Sequence, residues 1–244
     1  MKENKYNDLT FFNKYAQMDR SLKGLKGAGE WPTLKKMLPD MKDKNLLDLG
    51  CGYGWHCIYA KEQGAHNVCG VDISEKMLLE AKKKSKGYDI EYHCCAIEDM
   101  TFPKESFDII ISSLTFHYLD DLDIAIKKIK SILKKHGTFI FSCEHPVFTA
   151  YGSQDWIYDK DNKIDHFPID HYFEEGKREA NFLNEKVIKY HKTLTTYIQC
   201  LLNNGFLIKG FEEPKPTQQL IEEVPEMKDE LRRPMMMIIA CEKR

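Results

Sequence analysis

No apolar run in the 244 residues reaches the eighteen or so that a membrane span requires. The opening residues, Met1-Lys2-Glu3-Asn4-Lys5, lack the apolar stretch of a secretory signal. Charge of one sign is missing too. Thirty-six Lys and Arg against 38 Asp and Glu leave a formal net charge of −2, which provides no general basic footprint for nucleic acid. The short clusters Lys82-Lys83-Lys84 and Lys134-Lys135 fall on predicted helices and read as solvated faces. Cys-x-x-Cys spacing is absent. The eight cysteines include one adjacent pair, Cys94-Cys95, and the others sit in predicted core elements or the turn described next. They read as reduced thiols, with no disulfide framework and no metal site. Repeats and low-complexity stretches are also lacking. The expectation is a single soluble, cytoplasmic domain with a sizeable core.

What the chain has in their place is Asn45-Leu46-Leu47-Asp48-Leu49-Gly50-Cys51-Gly52-Tyr53-Gly54-Trp55. This reads as a buried strand that ends in a glycine-rich turn. A second apolar run, Val68-Cys69-Gly70-Val71, follows one helix later and ends on Asp72. Such a pair holds a nucleoside on an open α/β sheet. The glycines let backbone approach the ligand, and a carboxylate about twenty residues on accepts from the ribose hydroxyls. The dinucleotide fingerprint Gly-x-Gly-x-x-Gly/Ala fits poorly, because its last small position is Trp55. Asp48 would also repel a diphosphate at close range. A ligand bearing an ammonium group and no phosphate suits these residues better.

With Asp48, Gly50, Cys51 and Gly52 so arranged, the chain resembles motif I of the class I S-adenosylmethionine-dependent methyltransferases. Val71-Asp72-Ile73-Ser74, with Met77 on the next helix, is similar to the second motif. Cys95-Ala96-Ile97-Glu98-Asp99 resembles the segment that meets the adenine, which makes Ala96, Ile97 and Glu98 candidate contacts. Phe107–His117, including Ser113, looks like the fourth strand and the loop after it. Gly137–Ser142 looks like the fifth strand, and Gly205–Phe211 and Met235–Ala240 like the last two. The resemblance implies a doubly wound, mostly parallel seven-stranded sheet with the last strand antiparallel, and S-adenosylmethionine as cofactor. In relatives a tyrosine or arginine from a leading helix closes over the methionine tail, and Tyr15 and Arg20 are the candidates here. The Asn/Asp-Pro-Pro-Tyr/Phe signature of amino-directed nucleic-acid methyltransferases is absent after the fourth strand, so the expected acceptor is a small molecule.

The organisation follows from spacing. Residues 1–43 form a helical leading segment in which Trp31-Pro32 marks a helix start. Strands and helices alternate over 44–142, the pattern of βαβ units. A helix is expected over Asp121–Lys135, with Leu122, Ile126, Ile129 and Leu133 packed on the sheet. Residues 143–192 form an aromatic insertion after the fifth strand, which the sheet topology places over the pocket as a lid. Within it, His171-Tyr172-Phe173 and Lys186–Tyr190 are expected to pair as a hairpin, followed by a helix over Thr193–Asn204. The aromatics of this insertion serve equally as a satellite core. Methyl transfer by in-line displacement needs mainly positioning, and a hydroxyl or ammonium acceptor also needs a base. His117, Glu144 and His145 are the candidates, with His191 a weaker fourth. Two other classes stay open: a nicotinamide-dependent oxidoreductase, and a non-catalytic cofactor-binding protein. Residue patterns do not give the acceptor or the oligomeric state.

Overall fold

A computed structural model describes residues 4–244. Seven strands form one sheet: β1 (Asn45–Leu49), β2 (Asn67–Asp72), β3 (Glu91–Cys94), β4 (Phe107–Ser113), β5 (Leu133–Glu144), β10 (Phe206–Glu212) and β11 (Met236–Lys243). Two short hairpins lie outside it, β6 (Ile157–Tyr158) with β7 (Ile164–His166) and β8 (Gly176–Phe182) with β9 (Glu185–His191). Across the sheet the order is β10-β11-β5-β4-β1-β2-β3. β1 pairs in parallel with β2 and β4, whereas β11 runs antiparallel between β5 and β10. The antiparallel strand is thus interior, and β10 and β3 form the edges.

Alternation along the strands sorts side chains onto two faces. Leu47, Leu49, Val71, Ile110, Phe139 and Phe141 pack with α6 (Leu122–Ile132) and α8 (Leu194–Asn203), through Ile126, Ile129, Tyr197 and Leu201. Leu46, Val68, Ile109, Ile111 and Ile140 face the other way, toward α3 (Trp31–Met37), α4 (Trp55–Glu62) and α5 (Glu75–Lys84). β1 and β4 are covered on both sides, which is why they read as continuous apolar runs. Strand order reverses at β1/β4, so the carboxyl ends of these strands open a crevice there.

Two expectations are corrected. α6 stops at Ile132, and Leu133 opens β5 while remaining fully buried. An apolar stripe at helical spacing does not reveal that its last member has passed into a strand. The hairpin partner of β9 is Gly176–Phe182, not His171–Phe173. Its two-residue turn is Leu183-Asn184, both with positive φ (56° and 57°), the geometry that suits strand twist. Leucine there gives no turn signal. The β6/β7 pair was not anticipated, being too short for a periodicity to register. The expected α8 is present, capped by Thr193, whose side chain accepts from the Thr196 N–H. No helix among the described residues is long and apolar enough to cross a membrane.

Candidate active site

The turn after β1 is fixed by the backbone of β2. The N–H groups of Gly50 and Cys51 both donate to the Val71 carbonyl, at 2.7 and 2.9 Å. Gly52 N–H donates to Asp72 Oδ2 at 2.9 Å, and Ser74 N–H to Oδ1 at 2.8 Å. Gly50, Gly52 and Gly54 all have positive φ, but they need glycine for different reasons. A Cβ on Gly50 would lie 2.1 Å from Thr115 Oγ1, and one on Gly54 would lie 2.3 Å from the Tyr92 hydroxyl. A Cβ on Gly52 would meet nothing within 4 Å. That glycine keeps open the space into which Asp72 looks. Burial pushes the Asp72 carboxyl up, against the opposing pull of its backbone donors.

A cavity of about 450 Å³ begins at this turn. Of the residues expected there, Gly50, Cys51, Gly52, Asp72, Ile73 and Met77 line it. So do Ala96, Ile97, Glu98, Ser113, Tyr15 and Arg20, and, at its other end, His117 and Glu144. Three candidates do not. Asp48 is fully buried behind the turn, where Oδ2 accepts from Cys57 Sγ at 3.6 Å and Oδ1 has no hydrogen-bond partner. Burial pushes its carboxyl up to about 7. It presents no charge to the cavity, so the expected repulsion of a diphosphate loses its basis. His145 caps the short helix α7 (Pro146–Thr149), accepting from Val147 N–H, and its Nε2 lies 3.1 Å from Glu213 Oε1. It is built into structure. His191 is likewise held between Thr149 Oγ1 and the Tyr172 carbonyl, away from the cavity.

The leading segment contributes residues that no local pattern marked. Tyr6 lines the cavity, and its hydroxyl lies 3.0 Å from that of Tyr118. Glu30, just before α3, is 1 % exposed, and its Oε1 accepts from Arg20 Nη2 and Ser113 Oγ, both at 2.9 Å. Burial alone would raise this carboxyl, but the Arg20 guanidinium overrides it and holds it below the ordinary carboxylate range. Oε2 of Glu30 is buried without a partner.

At the far end four side chains form a network. Lys189 Nζ donates to Glu144 Oε1 at 2.5 Å and to Gln154 Oε1 at 2.8 Å, while Gln154 Nε2 donates to Glu144 Oε2 at 2.6 Å. Glu144 N–H donates to His117 Nδ1 at 3.3 Å, so the neutral ring carries its proton on Nε2. Burial pushes His117 down to about 4. For Glu144, burial is outweighed by Lys189 and His117, and the group stays below its usual value. Lys189 escaped the sequence reading because a lysine in an alternating strand is normally turned to water. Here Val187, Lys189 and His191 occupy the inward phase of β9. A lysine in the apolar phase was the available signal. Two aromatics of the insertion pack away from the cavity: Trp156 edge-on to Phe167 and under Arg232 and Arg233, and Tyr172 against His191.

Comparison with known proteins agrees with this geometry. The methyltransferase-domain family model matches residues 47–141. A solved chain from Listeria monocytogenes, assigned to the S-adenosylmethionine-dependent methyltransferases, is 52% identical. The similarity covers 91% of this chain and 99% of that one, with a TM-score of 0.85. An S-adenosylmethionine-dependent methyltransferase from Mesorhizobium loti is 38% identical over 90% of this chain and 100% of its own, with a TM-score of 0.83. The ubiquinone biosynthesis O-methyltransferase of Coxiella burnetii is 34% identical over 113 residues, which is 46% of this chain and 48% of that protein. The likeness to this last relative is partial, and the two full-length relatives carry the assignment. The chain belongs to the class I S-adenosylmethionine-dependent methyltransferases.

Proposed function

We propose that this methyltransferase moves a methyl group from S-adenosylmethionine to a small-molecule acceptor, with both held in one cavity. The observation that carries this reading is continuity: the same cavity is lined by Gly52 and Asp72 at one end and by His117, Glu144 and Lys189 at the other. The residues present fit the cofactor. The open space over Gly52 accepts a ligand in close contact with backbone, and the unpartnered Oε2 of Glu30 suits an ammonium group. In this reading Asp72 accepts from the ribose hydroxyls and Arg20 faces the tail carboxylate, with Tyr15 beside it. Ala96, Ile97 and Glu98 bound the adenine, with Ile73 and Met77 as apolar walls. Family membership removes the nicotinamide alternative.

The cofactor supplies an electrophilic methyl group on a positively charged sulfur. The chain supplies position and dryness. Tyr6 and Tyr118 join the leading segment to the turn after β4 and close the wall between the two ends of the cavity. His117 works as a donor through Nε2, since its only lone pair is occupied by the Glu144 N–H. The experiment is calorimetric titration with S-adenosylhomocysteine, followed by transfer of labelled methyl to a low-molecular-mass cell extract. Single-site binding and label in small molecules are expected. Label confined to protein or nucleic acid, or no binding, would overturn the reading.

A further inference from the structure

We infer that the acceptor is an organic acid, seated by its carboxylate against Lys189 and methylated on a carboxylate oxygen. The inference rests on the methyl-transfer reading above and adds the acceptor class. Its first support is a count of hydrogen-bond donors at the Glu144 end of the cavity and on the wall that leads to it. An ammonium has three donors, and Lys189 uses two, on Glu144 and Gln154, while the Phe182 ring centre, 5.3 Å away, is a weak partner for the third. The Gln154 amide has two N–H groups and spends one on Glu144. His117 carries its proton on Nε2, which stands 3.8 Å from Glu144 Oε1, beyond hydrogen-bond reach. Of the Tyr6 and Tyr118 hydroxyls, one donates to the other, which leaves one O–H to spend. All five residues line the cavity. Both oxygens of Glu144, by contrast, are already engaged.

A wall with surplus donors calls for a ligand that brings acceptors. The Glu144–Lys189 pair is neutral as a unit, so a cationic ligand would find the carboxylate already committed. A carboxylate takes the remaining Lys189 proton in a charge-assisted bond. It also suits the buried setting, where Lys189 is only 2 % exposed and an unmet donor is costly.

The second support is chemical. A hydroxyl or ammonium acceptor must shed a proton, and the buried groups here are poor recipients. The His117 lone pair is taken by backbone, and Glu144 is tied to Lys189 and Gln154. Asp120, the other carboxylate on this side, is solvent-exposed. A carboxylic acid has already lost its proton at neutral pH. One oxygen lone pair forms the O–CH3 bond as the S–CH3 bond breaks, and that electron pair stays on sulfur. Carboxylate and sulfonium become ester and thioether, charges cancel, and no proton is released. Phe148, Phe182, Tyr190 and Met235 offer the body of the acid an apolar and aromatic lining.

The test uses the full chain loaded with S-adenosylhomocysteine and three probes that share one ring: benzoate, benzyl alcohol and benzylamine. Benzoate is expected to bind at least about tenfold tighter than either of the others, the scale of one charge-assisted hydrogen bond. Lys189→Gln is expected to erase that preference, with retained S-adenosylhomocysteine affinity as its folding control. In a second arm, label transferred from S-adenosylmethionine to a low-molecular-mass extract is treated with mild alkali. Esters release it as volatile methanol, whereas ethers, amines and thioethers retain it. Equal or undetectable binding of the three probes to the unaltered protein, or label that survives alkali, overturns the assignment. Failure to bind S-adenosylhomocysteine would instead remove the reading beneath it.

Discussion

The two ends of the cavity are built in opposite ways. At the glycine turn, the geometry is set by backbone: Gly50, Cys51 and Gly52 N–H groups are satisfied by Val71 and Asp72 on the adjacent strand. At the other end it is set by side chains far apart in sequence, with Glu144 meeting Lys189 across 45 positions, and between the two ends Tyr6 meets Tyr118 across 112. The first kind of site tolerates almost no change in residue type, because each backbone conformation demands glycine or a fixed acceptor. The second tolerates exchange of partners, provided that charges and donors still balance. A family can therefore keep one end and rebuild the other.

The sharpest way to break that contrast is at the turn itself. Gly52→Val is expected to weaken S-adenosylhomocysteine binding by about 100-fold or more, some 2.7 kcal/mol, because the side chain would fill the space left open there. Its sheet should remain folded by circular dichroism. Gly50→Ala should do the reverse. Its Cβ would strike Thr115 at 2.1 Å, so the expected loss is roughly 1–3 kcal/mol of fold stability from overpacking. Should both variants lose only stability, the turn would be scaffold and not binding surface.

Asp48 sharpens the same boundary, since it belongs to the turn by sequence but not to the cavity. Its folded-state value, raised by burial from the ordinary 3.8 to about 7, means that the folded chain holds this proton more tightly than the unfolded one. The cost of ionising it grows as pH rises from about 4 and is complete above about 7. Asp48→Asn removes that cost. Compared with the unaltered chain in the absence of cofactor, the variant should gain roughly 2–3 kcal/mol in going from pH 5 to pH 8. Denaturant unfolding at the two pH values measures it, and a pH-independent difference would show that Asp48 is ionised in the fold throughout.

Asp72 is the converse case, a strand-end carboxylate that does face the cavity. Asp72→Ala is expected to weaken cofactor binding by roughly 1.5–3 kcal/mol, the scale of hydrogen bonds to a charged group. Asp72→Asn removes the charge but keeps one acceptor oxygen, enough for only one of the Gly52 and Ser74 N–H groups, so its loss of affinity should lie between those of the unaltered chain and Asp72→Ala. Calorimetric affinities that match the unaltered chain in both variants would remove Asp72 from the binding surface.

Most of the fold was legible because buried parallel strands announce themselves. Leu46–Leu49, Val68–Val71 and Ile109–Ile111 are buried on both faces and, Asp48 and Gly70 apart, apolar, and the first two end at a glycine turn and at an acid. The glycine end of the cavity was legible for the same reason: its residues follow strand ends at short, fixed distances. The other end was only half legible. His117 and Glu144 follow strand ends and line the cavity as expected, whereas Gln154 and Tyr6 reach it through tertiary packing that no spacing encodes, and Lys189 was marked only by its place in the buried phase of its strand. His145 misled because a histidine after a strand resembles a base, when its ring serves as a helix cap. Asp48 misled because strand alternation turned it into the core instead of the crevice. The aromatics of residues 143–192 were split by the fold: Phe182 and Tyr190 line the cavity, Trp156 and Phe167 build a cluster with Arg233, and Phe148 belongs to both.

The smallest expected effect lies where the two ends meet. Tyr6 and Tyr118 are both buried enough that their hydroxyls are driven well above the ordinary phenol range, by burial first and then by a neighbouring tyrosine, Tyr15 for Tyr6 and Tyr6 for Tyr118. Both remain neutral over any working pH, so their contact is an uncharged hydrogen bond worth about 1 kcal/mol. Tyr6 also packs edge-on against Phe11 and Tyr15, contacts that a phenylalanine keeps. Tyr6→Phe and Tyr118→Phe should therefore each cost about 1 kcal/mol, and the double variant little more than either alone, which is the signature of one shared bond. If the wall they form helps to hold water out of the cavity, the single variants should also slow methyl transfer more than they weaken S-adenosylhomocysteine binding. Additive losses in the cycle would mean that the two hydroxyls act apart. The leading segment would then cover the cofactor without being coupled to the acceptor end.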